Sequence, residues 1–192
     1  KLAERGKRVV LVDTDLRRSR IVSTYGVKFP QDSKKYGLSH YLAGIAEQDE
    51  VLYKTNVAGM DVVPVGRELL NPLPLLSSNR FQALLDRLAE AYDYVIVDAA
   101  PVGVVIDAAE IAKYCDGILL VVNYNQVHRQ ELIDAKAQLE NSGCPILGTI
   151  LNQVDYDGFT NKKYYYKSHY YSYYKAYEKG ADEKGADEKK KG

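Results

Sequence analysis

Hydrophobic residues in this chain fall into short, dense runs separated by stretches with a helical rhythm. The runs "RVVLVD" (8–13), "MDVVPV" (60–65), "YVIVDA" (94–99), "GILLVV" (117–122) and "PILGTIL" (145–151) are rich in Val and Ile. Runs of this length and composition predict strands buried on both faces. Between them, "SNRFQALLDRLAEAY" puts Phe81, Leu84, Leu85, Leu88 and Tyr92 on one helical face, with Ser77, Ser78 or Asn79 as the N-cap. "HRQELIDAKAQLENSG" predicts a further helix, with Leu132, Ala135 and Leu139 on one side and Gly143 at its C-terminal stop. Strands alternating with helices predict an α/β fold built on a doubly wound, mostly parallel sheet.

After Asp157 the rhythm ends, which predicts a folded domain over 1–157 and a tail over 158–192. The tail holds Tyr164, Tyr165, Tyr166, Tyr170, Tyr171, Tyr173, Tyr174 and Tyr177, at no constant helical or strand period. "EKGADEKGADEKKKG" follows, low in complexity and almost without apolar side chains, so it is expected to stay mobile. Composition changes this picture only locally. The 192 residues carry no net charge, so the molecule as a whole does not advertise a polyanionic partner. Residues 161–192 nevertheless hold nine lysines against five acids. Cys115 and Cys144 lack metal-ligand spacing and are expected to be buried, reduced thiols of a cytosolic protein. Within these 192 residues no apolar run is long enough to span a bilayer and none has the pattern of a signal peptide.

Chemistry concentrates at strand ends. "VVLVDTDLRRSR" runs from a strand into Asp13 and Asp15, with Arg17 and Arg18 just beyond. In a parallel α/β sheet, ligands bind outside the carboxyl ends of the strands. Two carboxylates there can hold a hydrated Mg²⁺ and accept a proton from an attacking hydroxyl. The plainer alternative is that Asp13 caps a turn and the arginines form a solvated face. "YDYVIVDAAPVG" ends a strand in Asp98, with Pro101 and Asp107 following. This has the Walker B shape, in which a carboxylate reaches the Mg²⁺ on nucleotide phosphates. Asn152 follows the last strand and can either bond an adenine edge or form a turn. No GxxxxGK[ST] phosphate loop is present. "KLAERGKRVVLVD" reads as a helix end, a turn and a second strand, so the phosphate loop and its strand are expected upstream of Lys1.

At these residues the sequence resembles the bacterial tyrosine kinases (BY-kinases) of capsular and exopolysaccharide synthesis. "VLVDTDLRRSR" is similar to their Walker A′ motif, "VIVDAAP" to their Walker B, and the tail to their C-terminal tyrosine cluster. The resemblance implies a P-loop NTPase-like fold of the deviant Walker type that uses ATP and Mg²⁺. Asp13 and Asp15 would be catalytic, Asp98 and Asp13 would serve the metal, and Arg17 and Asn152 would face the nucleotide. The eight tail tyrosines would accept phosphate in trans, within a homo-oligomeric ring. A membrane activator or polysaccharide co-polymerase would be the partner, fused or separate, at the inner face of the cell membrane, with no nucleic acid involved. The chain departs from the family in lacking the Walker A lysine loop and the N-terminal association helix. Ser19-Arg20 also stands where proline usually follows the arginines. A deviant-Walker ATPase switch of the partition or division-site type, or a non-catalytic phosphoacceptor fragment, are the alternative readings.

Overall fold

All five apolar runs form strands. In the computed structural model, which describes residues 1–22, 29 and 34–154, these are β1 (Val9–Asp13), β3 (Met60–Val63), β4 (Tyr94–Asp98), β5 (Ile118–Asn123) and β6 (Ile146–Asn152). A two-residue strand, β2 (Tyr53–Lys54), is too short to leave a periodic signal in sequence. The expected boundary at 157 and the eight tail tyrosines lie outside the described residues.

The strands form two sheets where the sequence pattern suggests one. Four pair in the order β2-β3-β1-β4, while β5 and β6 pair separately. β1 runs parallel to both β3 and β4, β2 is antiparallel to β3, and β5 is parallel to β6. An apolar run encodes that a segment is a strand but not which neighbour it pairs with, so the grouping was not legible. The chain divides accordingly into two compact units, Lys1–Cys115 and Asp116–Gly192.

The first unit is built on β1. Val9–Asp13 is apolar on both faces and occupies a central position between two parallel neighbours. Register pairs Val10 with Val95 and Val12 with both Val63 and Val97, so these residues share one face. Onto that face pack α1 (Leu38–Leu42), α2 (Gln48–Val51), α3 (Leu73–Leu76), α4 (Asn79–Ala91) and α5 (Asp107–Ala112). α4 begins where Ser78 accepts a hydrogen bond from the Phe81 N–H, as expected of an N-cap. It buries Phe81, Leu84, Leu85 and Leu88, each contributing about 2 kcal/mol. Tyr92 closes the helix, and its phenol donates to Asp61. The opposite face of β4 is less covered: Tyr94 and Ile96 are each 42 % exposed.

In the second unit, α6 (Arg129–Glu140) buries Ala135 and Leu139, and Gly143 just beyond it takes a φ of 80°. Cys144 is buried as expected, whereas Cys115 is only half-buried. Among the described residues no helix is long and apolar enough to cross a membrane.

One close approach fixes the loop that follows β3. Leu38 N–H donates to Pro64 O at 2.7 Å and Ser39 N–H to Val65 O at 2.9 Å. Ser39 Oγ accepts from Arg67 N–H at 2.8 Å. The two backbones meet so tightly that a Cβ on Gly37 would lie 2.3 Å from both Gly66 N and Pro64 O. Gly37→Ala is therefore expected to cost more than roughly 2 kcal/mol, because backbone must move. Urea unfolding of this variant beside Gly6→Ala, whose added Cβ meets nothing within 4 Å but sits at a φ of 78°, checks it. Equal or smaller loss in Gly37→Ala would show that the approach is not tight.

Candidate active site

Parallel pairing brings two predicted carboxylates side by side. β1 and β4 end level, and Asp13 and Asp98 are register partners on adjacent strands. Adjacent strands lie about 4.8 Å apart, and register partners point to the same face. The chain then leaves β1 still tied to β4. Thr14 N–H donates to Asp98 O at 2.8 Å and Thr14 Oγ to the same oxygen at 2.6 Å.

Asp15 closes the following turn. Its Oδ1 accepts from the N–H groups of Arg17 at 3.3 Å and Arg18 at 3.0 Å. Asp13 caps the start of this turn as the plainer reading has it, and Asp15 caps its continuation. Asp13 uses both oxygens within the loop. Oδ1 accepts from Asp15 N–H at 3.2 Å, and Oδ2 accepts from Ser19 Oγ at 2.5 Å. Ser19 was noted in sequence only as a departure from proline, and its hydroxyl is what gives that departure a function in the loop.

The carboxylates disturb one another. Asp13 is completely buried, and loss of water pushes its carboxyl up to about 6 from an ordinary 3.8, with the charges of Asp98 and Asp15 adding to the effect. The Ser19 hydroxyl and the Asp15 N–H pull the other way. Asp98, exposed at the end of β4, is raised too, by partial loss of water around its carboxyl first and by the charge of Asp15 second. Charge of this density at a strand end suits a cation carried in by a ligand. Among the described residues, no group of three or more His, Cys, Asp and Glu side chains is arranged to hold a metal ion without one. The donors are all hard oxygens, which fits Mg²⁺ bound partly through water and phosphate.

Arg17 is tied to groups of the protein itself. Its guanidinium grips Asp107 with Nε to Oδ2 at 2.7 Å and Nη2 to Oδ1 at 3.2 Å, while Nη1 donates to Leu70 O at 2.8 Å. Asn152 ends β6 in the second unit, where its amide donates to Asn123 Oδ1 at 3.3 Å across the β5–β6 pair. The sequence reading missed Asn123, although "VVN" ends its strand just as "ILN" ends the next. The structure thus brings Asp13, Asp15 and Asp98 together, and Asn152 belongs to the β5–β6 sheet.

Because Asp13 is more readily protonated in the fold than in the unfolded chain, its charged form costs stability. That cost is complete above pH 6 and disappears as pH falls through about 6 toward the ordinary carboxylate range. Without metal or nucleotide, Asp13→Asn should therefore be more stable than the parent at pH 7, by up to roughly 3 kcal/mol. Thermal melts of both proteins from pH 7 downward should converge near pH 4, roughly the unfolded carboxylate value. A variant that melts lower at pH 7 would contradict the assignment of Asp13 as a carboxylate held at a cost.

Known proteins add a family to this geometry. A family model described as an AAA domain matches residues 1–141. The tyrosine-protein kinase CpsD of Streptococcus agalactiae is 38 % identical over 154 residues, covering 80 % of this chain and 65 % of CpsD. The chain thus spans a little under two thirds of the length of the curated relatives it matches first. Among solved structures, the kinase domain of the Escherichia coli tyrosine kinase ETK superposes with a TM-score of 0.77 at 33 % identity, over 86 % of this chain and 63 % of that one. The cell division ATPase MinD of Pyrococcus furiosus superposes with a TM-score of 0.60 at 25 % identity, over 78 % and 61 % of the two chains. The fold is that of the P-loop NTPase-like kinase domains. This chain belongs to the AAA domain family, with bacterial tyrosine kinases among its relatives and structural neighbours.

Proposed function

We propose that this chain is the catalytic part of an ATP-dependent protein-tyrosine kinase that phosphorylates the tyrosine cluster of a second copy of itself and thereby regulates capsular or exopolysaccharide synthesis and export. The observation that carries this reading is the register pairing of Asp13 with Asp98, with Asp15 bonded to Asp13 one turn on. The resemblance to CpsD and ETK supports the kinase chemistry, and the eight tail tyrosines supply acceptors.

The reaction is an in-line transfer. Asp13 takes the phenolic proton, the phenol oxygen bonds to the γ-phosphorus, and the bond from that phosphorus to the β–γ bridging oxygen breaks to leave ADP. Asp15 holds the turn that aims Asp13, and the Thr14 bonds to Asp98 O keep both carboxylates at one edge. Bound Mg²⁺, in a shell completed by Asp98 and Asp13, would offset the negative charge of the phosphates. Positioning and charge stabilisation account for most phosphoryl-transfer catalysis. Each phosphate adds nearly two negative charges to a basic segment, which makes the tail a switch for self-association. A ring of copies at the inner face of the membrane, working with a membrane activator or polysaccharide co-polymerase, would present tails to neighbouring sites. The likeness to a cell-division ATPase favours one second reading, an ATP-driven association switch that labels no tyrosine.

Two variants of the full-length protein test the proposal. Asp98→Asn removes charge and little volume, so it should fold normally and lose phosphotyrosine formation by on the order of a hundredfold. Changing all eight tail tyrosines to Phe should abolish most phosphotyrosine and leave nucleotide binding intact, whereas any single change should barely matter. Mass spectrometry of phosphopeptides reads both. Label confined to Tyr92, whose phenol is held by Asp61 and raised in pKa, would refute tail acceptance. ATP hydrolysis with no tyrosine label at all would favour the association switch.

A further inference from the structure

Three segments distant in sequence meet at the Arg17 guanidinium. Arg17 belongs to the turn that leaves β1 with Asp13 and Asp15, Asp107 opens α5 after β4 and Asp98, and Leu70 lies in the loop after β3. Asp107 is 1 % exposed and is held through both carboxylate oxygens, which an Arg fork matches in a way a Lys cannot. The third guanidinium nitrogen is used on Leu70 O. Leu69 N–H completes the junction by donating to Leu16 O at 2.7 Å, beside a Leu16 that is itself fully buried. The Arg17 N–H is one of the two that Asp15 Oδ1 accepts. One residue therefore joins the Asp15 turn through its backbone to the loop after β3 and the start of α5 through its side chain.

We infer that Arg17 and Asp107 are a positioning pair for phosphoryl transfer, which sets the loop carrying Asp13 and Asp15 against the segment that follows Asp98. The inference rests on the kinase reading of the same edge. It gives Arg17 a task other than binding nucleotide and gives Asp107, which has no catalytic assignment, a part in the reaction. Two consequences separate it from mere structural support. Breaking the pair from either side should have the same effect, because the pair acts as a unit. The loss should fall on turnover and spare nucleotide affinity, because the two side chains are engaged with each other and with Leu70 O.

The test uses the full-length protein with four variants: Arg17→Gln, Asp107→Asn, the double variant, and Arg17→Lys. Each is measured for nucleotide dissociation constant, for the rate of tyrosine phosphorylation at saturating ATP, and for hydrogen exchange of residues 14–20 and 66–72. Both single variants should lower the rate by a similar factor, roughly tenfold or more, with affinity changed less than about twofold. The double variant should lose no more than the worse single one, the mark of coupled residues. Arg17→Lys should recover little, since it keeps the charge but not the fork. Faster exchange in both loops in Asp107→Asn is expected even if the protein transfers no phosphate, so the clamp is testable apart from the kinase reading. A parent protein without kinase activity but with this exchange pattern would overturn the kinase reading and the catalytic half of the inference together. Weaker nucleotide binding in Arg17→Gln alone, multiplicative losses in the double variant, or unchanged exchange in both loops would each overturn the positioning pair.

Discussion

The site depends on one constraint, that β1 and β4 run parallel and end level. Parallel strands in register place the last side chains of both on the same face, so the sheet itself sets Asp13 beside Asp98. No loop has to fold precisely to achieve this. The packing that holds it is ordinary: Val10 and Val12 from β1, with Val95 and Val97 from β4, face the helices whose largest contribution is the apolar side of α4. Asp13 and Asp98 thus lie on the face opposite Val10, Val12, Val95 and Val97.

This economy has a cost that the carboxylates make visible. Two acids in register, with a third bonded to the first, repel one another, and burial forces Asp13 toward its protonated form. A protein selected for stability alone would not keep such a group at a strand end. The arrangement makes sense when a cation and phosphates arrive together, converting repulsion between the acids into attraction for the ion. Ser19 and the Asp15 N–H keep the Asp13 carboxylate oriented in the meantime.

Much of this was legible in the sequence, and the limits are physical. The apolar runs announced the strands because continuous burial demands Val and Ile on both faces. "RVVLVD" and "YVIVDA" announced the site because each run stops at an acid, and parallel sheets gather strand ends at one edge. A cap among Ser77, Ser78 and Asn79 was legible because its chemistry is local, and the structure selects Ser78. The partner of Arg17 was not, since Asp107 lies 90 positions away and only the fold brings them together. The division into two sheets was hidden for the same reason, because hydrogen-bond pairing between strands leaves no mark on apolarity. Asn152 was rightly seen at a strand end, but its cross-strand partner Asn123 was overlooked until the register of β5 and β6 was known.

The central claim, that the carboxyl edge of β1 and β4 is where a metal–nucleotide complex binds, is tested most directly by paramagnetic broadening. Mn²⁺ would be titrated, with a non-hydrolysable ATP analogue, into the ¹⁵N-labelled full-length protein, and the backbone amide signals followed. The amides of Asp13, Thr14, Asp15 and Asp98 should broaden first, and those of Asp61 and Tyr92, which stand near the amino ends of β3 and β4, should stay sharp. Broadening that begins at Asp61 and Tyr92, or that leaves Asp98 untouched, would contradict the assignment.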